Sequence, residues 1–221
     1  MLQRRSLLAG WLGFFIVSYD GALASVVLAP AFAYFMPPDA TPLAIGAMVL
    51  TIFNASRIGR PLGALLFGRM VDRGDAVKAA SLSAAGYALL TVATGFLPGF
   101  RSVGYLSLGL LITLRALTGV FLAGQAVAFG PNLIRQAPES KRWLIGAFLP
   151  TGSPASYISA SLLTVAVLSF APAAGPDSAY VVMGWRWAFW AAAAVSAMSF
   201  LLALLAGRAG EIDKVVARPP A

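Results

Sequence analysis

Residues 43–73 read LAIGAMVLTIFNASRIGRPLGALLFGRMVDR. Up to Gly68 the stretch is apolar or small, apart from Thr51, Asn54, Ser56, Arg57 and Arg60. As a helix it is long enough to cross the roughly 30 Å hydrocarbon core of a bilayer. Charge then rises abruptly at Arg69, Asp72 and Arg73. A long apolar run that stops at a basic cluster reads as a membrane span reaching the cytoplasmic interface.

Outward from this stretch the pattern repeats. Apolar runs at 7–35, 79–97, 104–134, 143–170 and 185–206 join the one at 43–68, and each is long enough to span. Turn residues separate them, as in Met36-Pro37-Pro38-Asp39 and Pro98-Gly99. The chain of 221 residues is 59% hydrophobic and only 11% charged, too few charges for a surface that faces water. The fold class is an all-α membrane protein of six transmembrane helices, occupying residues 1–207, with 208–221 as a cytoplasmic tail.

Composition excludes several functions. The net charge of +8 is dispersed between the apolar runs and makes no patch for nucleic acid. With neither cysteine nor histidine, the chain has no disulfide framework, no thiol chemistry and no imidazole base or ligand. No nucleophile motif is present, so the chain is read as a non-enzyme without a cofactor. Lys and Arg sort by loop. Arg4, Arg5, Arg69, Arg73, Lys78, Arg135, Lys141, Arg142, Arg208, Lys214 and Arg218 fall on one side, and Arg101 and Arg186 on the other. Both termini are therefore expected on the cytoplasmic side of a bacterial inner membrane. Gln3-Arg4-Arg5-Ser6 before an apolar run resembles an export signal, but Asp20 within that run argues for a retained first span.

Charges inside a bilayer are costly, about 2.5–3.5 kcal/mol each on the insertion scale, and by default mark a site. Asp20 lies about 20 Å along its helix from one face, and Arg115 about 16 Å from the opposite face, so both are expected near the midplane. Tyr19, Asn54, Gln125 and Thr118 are polar groups able to complete a pocket around them. Arg57 reads as an anion contact or, like Arg60, as a side chain that snorkels to the interface. Trp11, Trp143, Trp185, Trp187 and Trp190 read as an interfacial belt.

The ending of the second span resembles the signature loop of the major facilitator superfamily, GxxxDRxGRR, matched at Gly68, Asp72 and Arg73. Arg60-Pro61-Leu62-Gly63 is similar to its metabolite–proton symporter branch. Ser18-Tyr19-Asp20, Leu114-Arg115 with Gly119, Gly146 to Pro154, and Gly184-Trp185-Arg186-Trp187-Ala188-Phe189 agree in order and spacing. The resemblance implies half of that fold, the N-terminal six helices, built as two inverted three-helix repeats. It also implies that the first and fourth helices line the cavity, bringing Asp20 close to Arg115, and that Gly68, Asp72 and Arg73 form a gating loop.

There are departures. Gly74-Asp75-Ala76-Val77-Lys78 replaces the Gly-Arg-Arg ending. Val17 and Gln125 stand where the branch often carries glutamates. The function expected is half of a secondary transporter for a small polar solute, an organic anion or zwitterion, with proton coupling. A homodimer or a separate second-half polypeptide would complete it. The alternative is a membrane assembly protein that keeps the fold and has lost transport.

Overall fold

A chain inside a bilayer must satisfy its backbone N–H and C=O groups within each crossing, which favours uninterrupted helices. The computed structural model describes residues 4–136, 138–175 and 177–208, so the expected tail beyond Arg208 lies outside the described residues. The helices are α1 (Arg4–Ala22), α2 (Pro42–Asp72), α3 (Ala76–Gly95), α4 (Phe100–Val103), α5 (Tyr105–Gln136), α6 (Glu139–Phe148), α7 (Gly152–Phe170) and α8 (Trp185–Arg208). Six stretches are long and apolar enough to cross a membrane: Leu7–Val27, Pro42–Asp72, Ala76–Gly95, Tyr105–Ala126, Glu139–Phe170 and Tyr180–Leu202. They coincide with the six expected spans.

The differences lie at span ends and have local causes. The first apolar run extends to Phe35 and contains Pro30. Within it α1 opens into a π turn at Leu23–Val27, closed by the Leu28 amide on the Leu23 carbonyl at 3.0 Å, and tightens into a 3₁₀ segment at Ala29–Tyr34. Pro30 has no N–H to continue the α ladder. In the fifth span, Pro150 sits in a 3₁₀ turn at Leu149–Thr151 that joins α6 to α7. The second span outlasts the apolar run, with helix through Asp72. Gly74, at φ +87°, then makes the turn, and the Asp75 amide bonds the Met70 carbonyl at 3.0 Å. Gly68 is thus a helical residue, not part of a loop.

Packing follows a two-fold pattern. α2 lies along α5, and α7 lies along α1, while α3 packs between α5 and α8. Exchanging the first span with the fourth and the second with the fifth converts one major contact into the other, as two inverted three-helix repeats require. Glycine makes both contacts close. A Cβ at Gly59 would lie 2.0 Å from the Ala116 carbonyl oxygen, one at Gly63 2.0 Å from that of Val120, and one at Gly119 1.8 Å from that of Ser56. In the other pair, a Cβ at Gly152 would lie 2.6 Å from the Trp11 carbonyl oxygen. Lipid gives helices no hydrophobic reason to associate, so backbone contact through small residues holds them.

The end of the bundle where α3 stops and α8 begins is tied by polar groups, among them Arg186. Arg186 was read as a charge at the edge of the sixth span. Its Nε donates to the Gly95 carbonyl at 2.7 Å, and its Nη2 to the Leu97 carbonyl at 3.0 Å and the Tyr34 hydroxyl at 2.9 Å. It therefore caps the free carbonyls at the end of α3. Tyr180 donates to the Val27 carbonyl at 2.9 Å, anchoring the π turn. Trp185 does not belong to an interfacial belt. It is fully buried against Phe35 and Phe189, and its indole N–H bonds the Val181 carbonyl at 3.0 Å, so it needs no water. Trp143 and Trp187 are exposed, as an interfacial role requires.

Candidate functional site

Asp20 lies in the last turn of α1, just before the π turn, and Arg115 lies in α5. Both are 2% exposed. They meet as expected. Arg115 Nη1 donates to Asp20 Oδ1 at 2.6 Å, and Nη2 to Oδ2 at 3.2 Å and to the Asp20 backbone oxygen at 3.1 Å. The two-pronged guanidinium matches the carboxylate, and such charge-assisted pairs are the strong ones. Desolvating two charges still costs several kcal/mol each, which this geometry offsets.

A third partner comes from α2. Ser56, also 2% exposed, donates its hydroxyl to Asp20 Oδ2 at 2.7 Å. Sequence reasoning missed it. The available signal was the stripe Ile52, Ala55, Ser56, Gly59, Gly63, whose helical spacing marks the buried face of α2.

The pair lines a narrow cleft together with Phe53, Ser56, Arg57 and Arg60 of α2 and Gly21 of α1. Arg57 lies over the Phe53 ring at 4.3 Å and donates to Asn54 Oδ1 at 3.2 Å. Arg60 does not simply snorkel away. It is half-buried on the cleft wall, and its Nε is buried without a hydrogen-bond partner, as is Nε of Arg115. Three arginines face one carboxylate in this space, so the cleft is net positive. On the α7 side, a Cβ at Gly21 would meet the Tyr157 hydroxyl at 2.9 Å, so Gly21 makes room for that phenol.

The remaining candidates part company with the cleft. Tyr19 is buried in the core, its ring stacked on Phe15 at 5.5 Å, and it lines a separate small apolar cavity with Ile16 and Tyr87. Successive helical residues point about 100° apart, so Tyr19 cannot share the direction of Asp20. Asn54 is exposed and returns its amide to the Leu50 carbonyl at 2.8 Å, so it braces Arg57 without lining the cleft. Thr118 bonds the Arg115 carbonyl within its own helix at 2.7 Å. Gln125 is buried, neither amide atom has a partner among the described residues, and it lies outside the lining of the cleft. Asp72 and Arg73 are exposed at the end of α2, and among the described residues no hydrogen bond or ion pair reaches either side chain. Among the described residues no three acidic, histidine or cysteine side chains gather as a metal site would need.

No family model matches the chain. It is 27% identical over 183 residues to the shikimate transporter of Escherichia coli K12, covering 83% of this chain and 41% of that protein. It is 28% identical over 186 residues to the inner membrane metabolite transport protein YhjE of the same organism, covering 83% and 41%. Among solved structures, the crystal structure of a D-xylose–proton symporter superposes with a TM-score of 0.74 at 15% identity, covering 95% of this chain and 52% of that one. The chain spans about two fifths of the length of these relatives and about half of the solved structure. With six spans and the helix exchange pattern of inverted repeats, the chain has the fold of one six-helix half of the major facilitator superfamily transporters to which it is similar.

Proposed function

We propose that the chain is half of a secondary active transporter for a small organic anion or zwitterion, with proton coupling through Asp20 and Arg115. The observation that carries this reading is the buried carboxylate–guanidinium pair lining a narrow cleft with Arg57 and Arg60. A charge pair held in the membrane interior is expensive, and a proton on Asp20 would cancel its attraction and free Arg115 for an anionic solute. Shikimate, the solute named for one relative, carries a carboxylate. Gly68, Asp72 and Arg73 serve gating in this reading, with the unpartnered Asp72 carboxylate available to the end of a facing helix. A second half, from another copy or a separate polypeptide, supplies that face, because alternating access needs two bundles around one site. The alternative of a transport-inactive assembly protein draws no support from the relatives named above, which are transporters.

The test is uptake into proteoliposomes by the chain with its second half. Asp20→Asn, which fixes the uncharged form, is expected to abolish pH-driven accumulation while leaving solute-for-solute exchange partly intact. Full coupling in that variant would remove Asp20 as the proton carrier. Uptake by the chain alone as a monomer would end the half-transporter reading.

Orientation is tested separately. Because the native chain lacks cysteine, single cysteines can be introduced without background. Those at Asp39 and Asp177 are expected to react with an impermeant reagent from outside, and those at Asp75 and Glu139 are not. External labelling at Asp75 would reverse the proposed topology.

A further inference from the structure

Serine and threonine hydroxyls inside spans commonly return to a carbonyl one turn earlier, and Thr51, Thr94, Thr113 and Ser159 all do so here, at 2.7–2.8 Å. Ser56 does not. Its proton goes across to another helix, to Asp20 Oδ2 at 2.7 Å, and both residues are 2% exposed. Its position is fixed by backbone contact: the Ser56 carbonyl oxygen abuts Gly119 so closely that a Cβ there would come within 1.8 Å, and Gly59 abuts Ala116 one turn on. Ser56 and Arg115 therefore both stand on the close-packed α2–α5 pair, whereas Asp20 belongs to α1, which packs closely on α7 through Gly152. Asp20 is the polar bridge between the two helix pairs, and both of its side-chain partners stand on the same far side.

Those partners differ in one chemical respect. A guanidinium only donates, so its strong bond to Asp20 exists only while Asp20 is a carboxylate. A hydroxyl both donates and accepts, so it serves a carboxylate and a carboxylic acid equally well. We propose that Ser56 is a positioning residue that holds the Asp20 carboxyl group in both charge states, so that a proton arriving there releases Arg115 without releasing α1 from α2. This rests on the reading of Asp20 as the proton carrier. In the step, a proton from water adds at Oδ1, the charge attraction to Arg115 is lost, and Ser56 continues to donate to Oδ2, now the carbonyl oxygen of the neutral acid. The other groups facing this space are Arg57 and Arg60 from α2, Tyr157 from α7 beside Gly21, and Tyr19 of α1 with Tyr87 of α3 in the adjoining cavity. Among the described residues that line the cleft Asp20 is the one carboxylate.

The experiment is infrared difference spectroscopy of the purified full chain on acidification. A neutral buried carboxyl group gives its own carbonyl stretching band, which moves to higher frequency when that carbonyl loses a hydrogen bond. Disappearance in Asp20→Asn assigns the band. Ser56→Ala is expected to shift it upward, and Ser56→Thr, which keeps the hydroxyl, to return it towards the wild-type position. A merely structural serine would lower the melting temperature and leave the band where it was. If Ser56→Ala fails to fold, Ser56→Cys, of similar size and a weaker donor, is expected to give a smaller upward shift. An unmoved band in the folded variant overturns the role of Ser56 and leaves the coupling reading standing. The absence of any Asp20-dependent band while the helices remain intact overturns both.

Discussion

Arg115→Ala is expected to cost about 3–5 kcal/mol, the loss typical of removing one member of a buried ion pair. Against a total stability of about 5–15 kcal/mol, that leaves little or no folded protein at ordinary temperatures. The cause is what remains. Asp20 is 2% exposed, and without the guanidinium its carboxylate keeps only the Ser56 hydroxyl. Asp20→Asn should also destabilise, though less, because Arg115 loses its counter-charge and keeps only weaker bonds to a neutral amide and to the backbone oxygen of residue 20. Replacing both partners by apolar residues, Asp20→Leu with Arg115→Met, should recover most of the stability, since no charge is then buried. Circular-dichroism melting in detergent ranks the variants. An Arg115→Ala protein that melts with the wild type would show that the pair is not desolvated. Recovery in the double variant without recovery of uptake would separate what the pair does for folding from what it does for transport.

The second large effect is expected at Gly119. A methyl group there would sit 1.8 Å from the Ser56 carbonyl oxygen, which is backbone and cannot rotate aside. The helices must part, so Gly119→Ala should destabilise by about 1–3 kcal/mol, as overpacking does, and Gly119→Leu should prevent folding. The displacement would carry Ser56 away from Asp20, so proton coupling should fall further than stability alone implies. Gly68 is the control. It lies in α2 with nothing within 4 Å of a Cβ, so Gly68→Ala should be neutral or gain up to about 1 kcal/mol from helix propensity. Equal melting temperatures for Gly119→Ala and the wild type would contradict the close contact of α2 with α5.

The number and placement of the spans were legible in the residues alone. Each crossing must be long, apolar and internally hydrogen-bonded, so its signature lies wholly within one contiguous segment. The sequence also marked Asp20, Arg57 and Arg115, because a charge in an apolar run is costly wherever it ends up pointing. The partnership of Asp20 with Arg115 was legible only through resemblance to a family whose first and fourth helices adjoin. Direction and partner were decided by tertiary structure. Tyr19 and Asp20 are neighbours in the chain, yet one faces the core and the other the cleft, because helical residues diverge by about 100°. Trp185 reads like its neighbour Trp187, but only packing against Phe35 and Phe189 buries it. Ser56 was silent in the sequence, since a serine in a span is usually satisfied by its own helix. Its role arises because Gly119 lets α5 approach closely enough to fix Ser56 beside a carboxylate from a third helix.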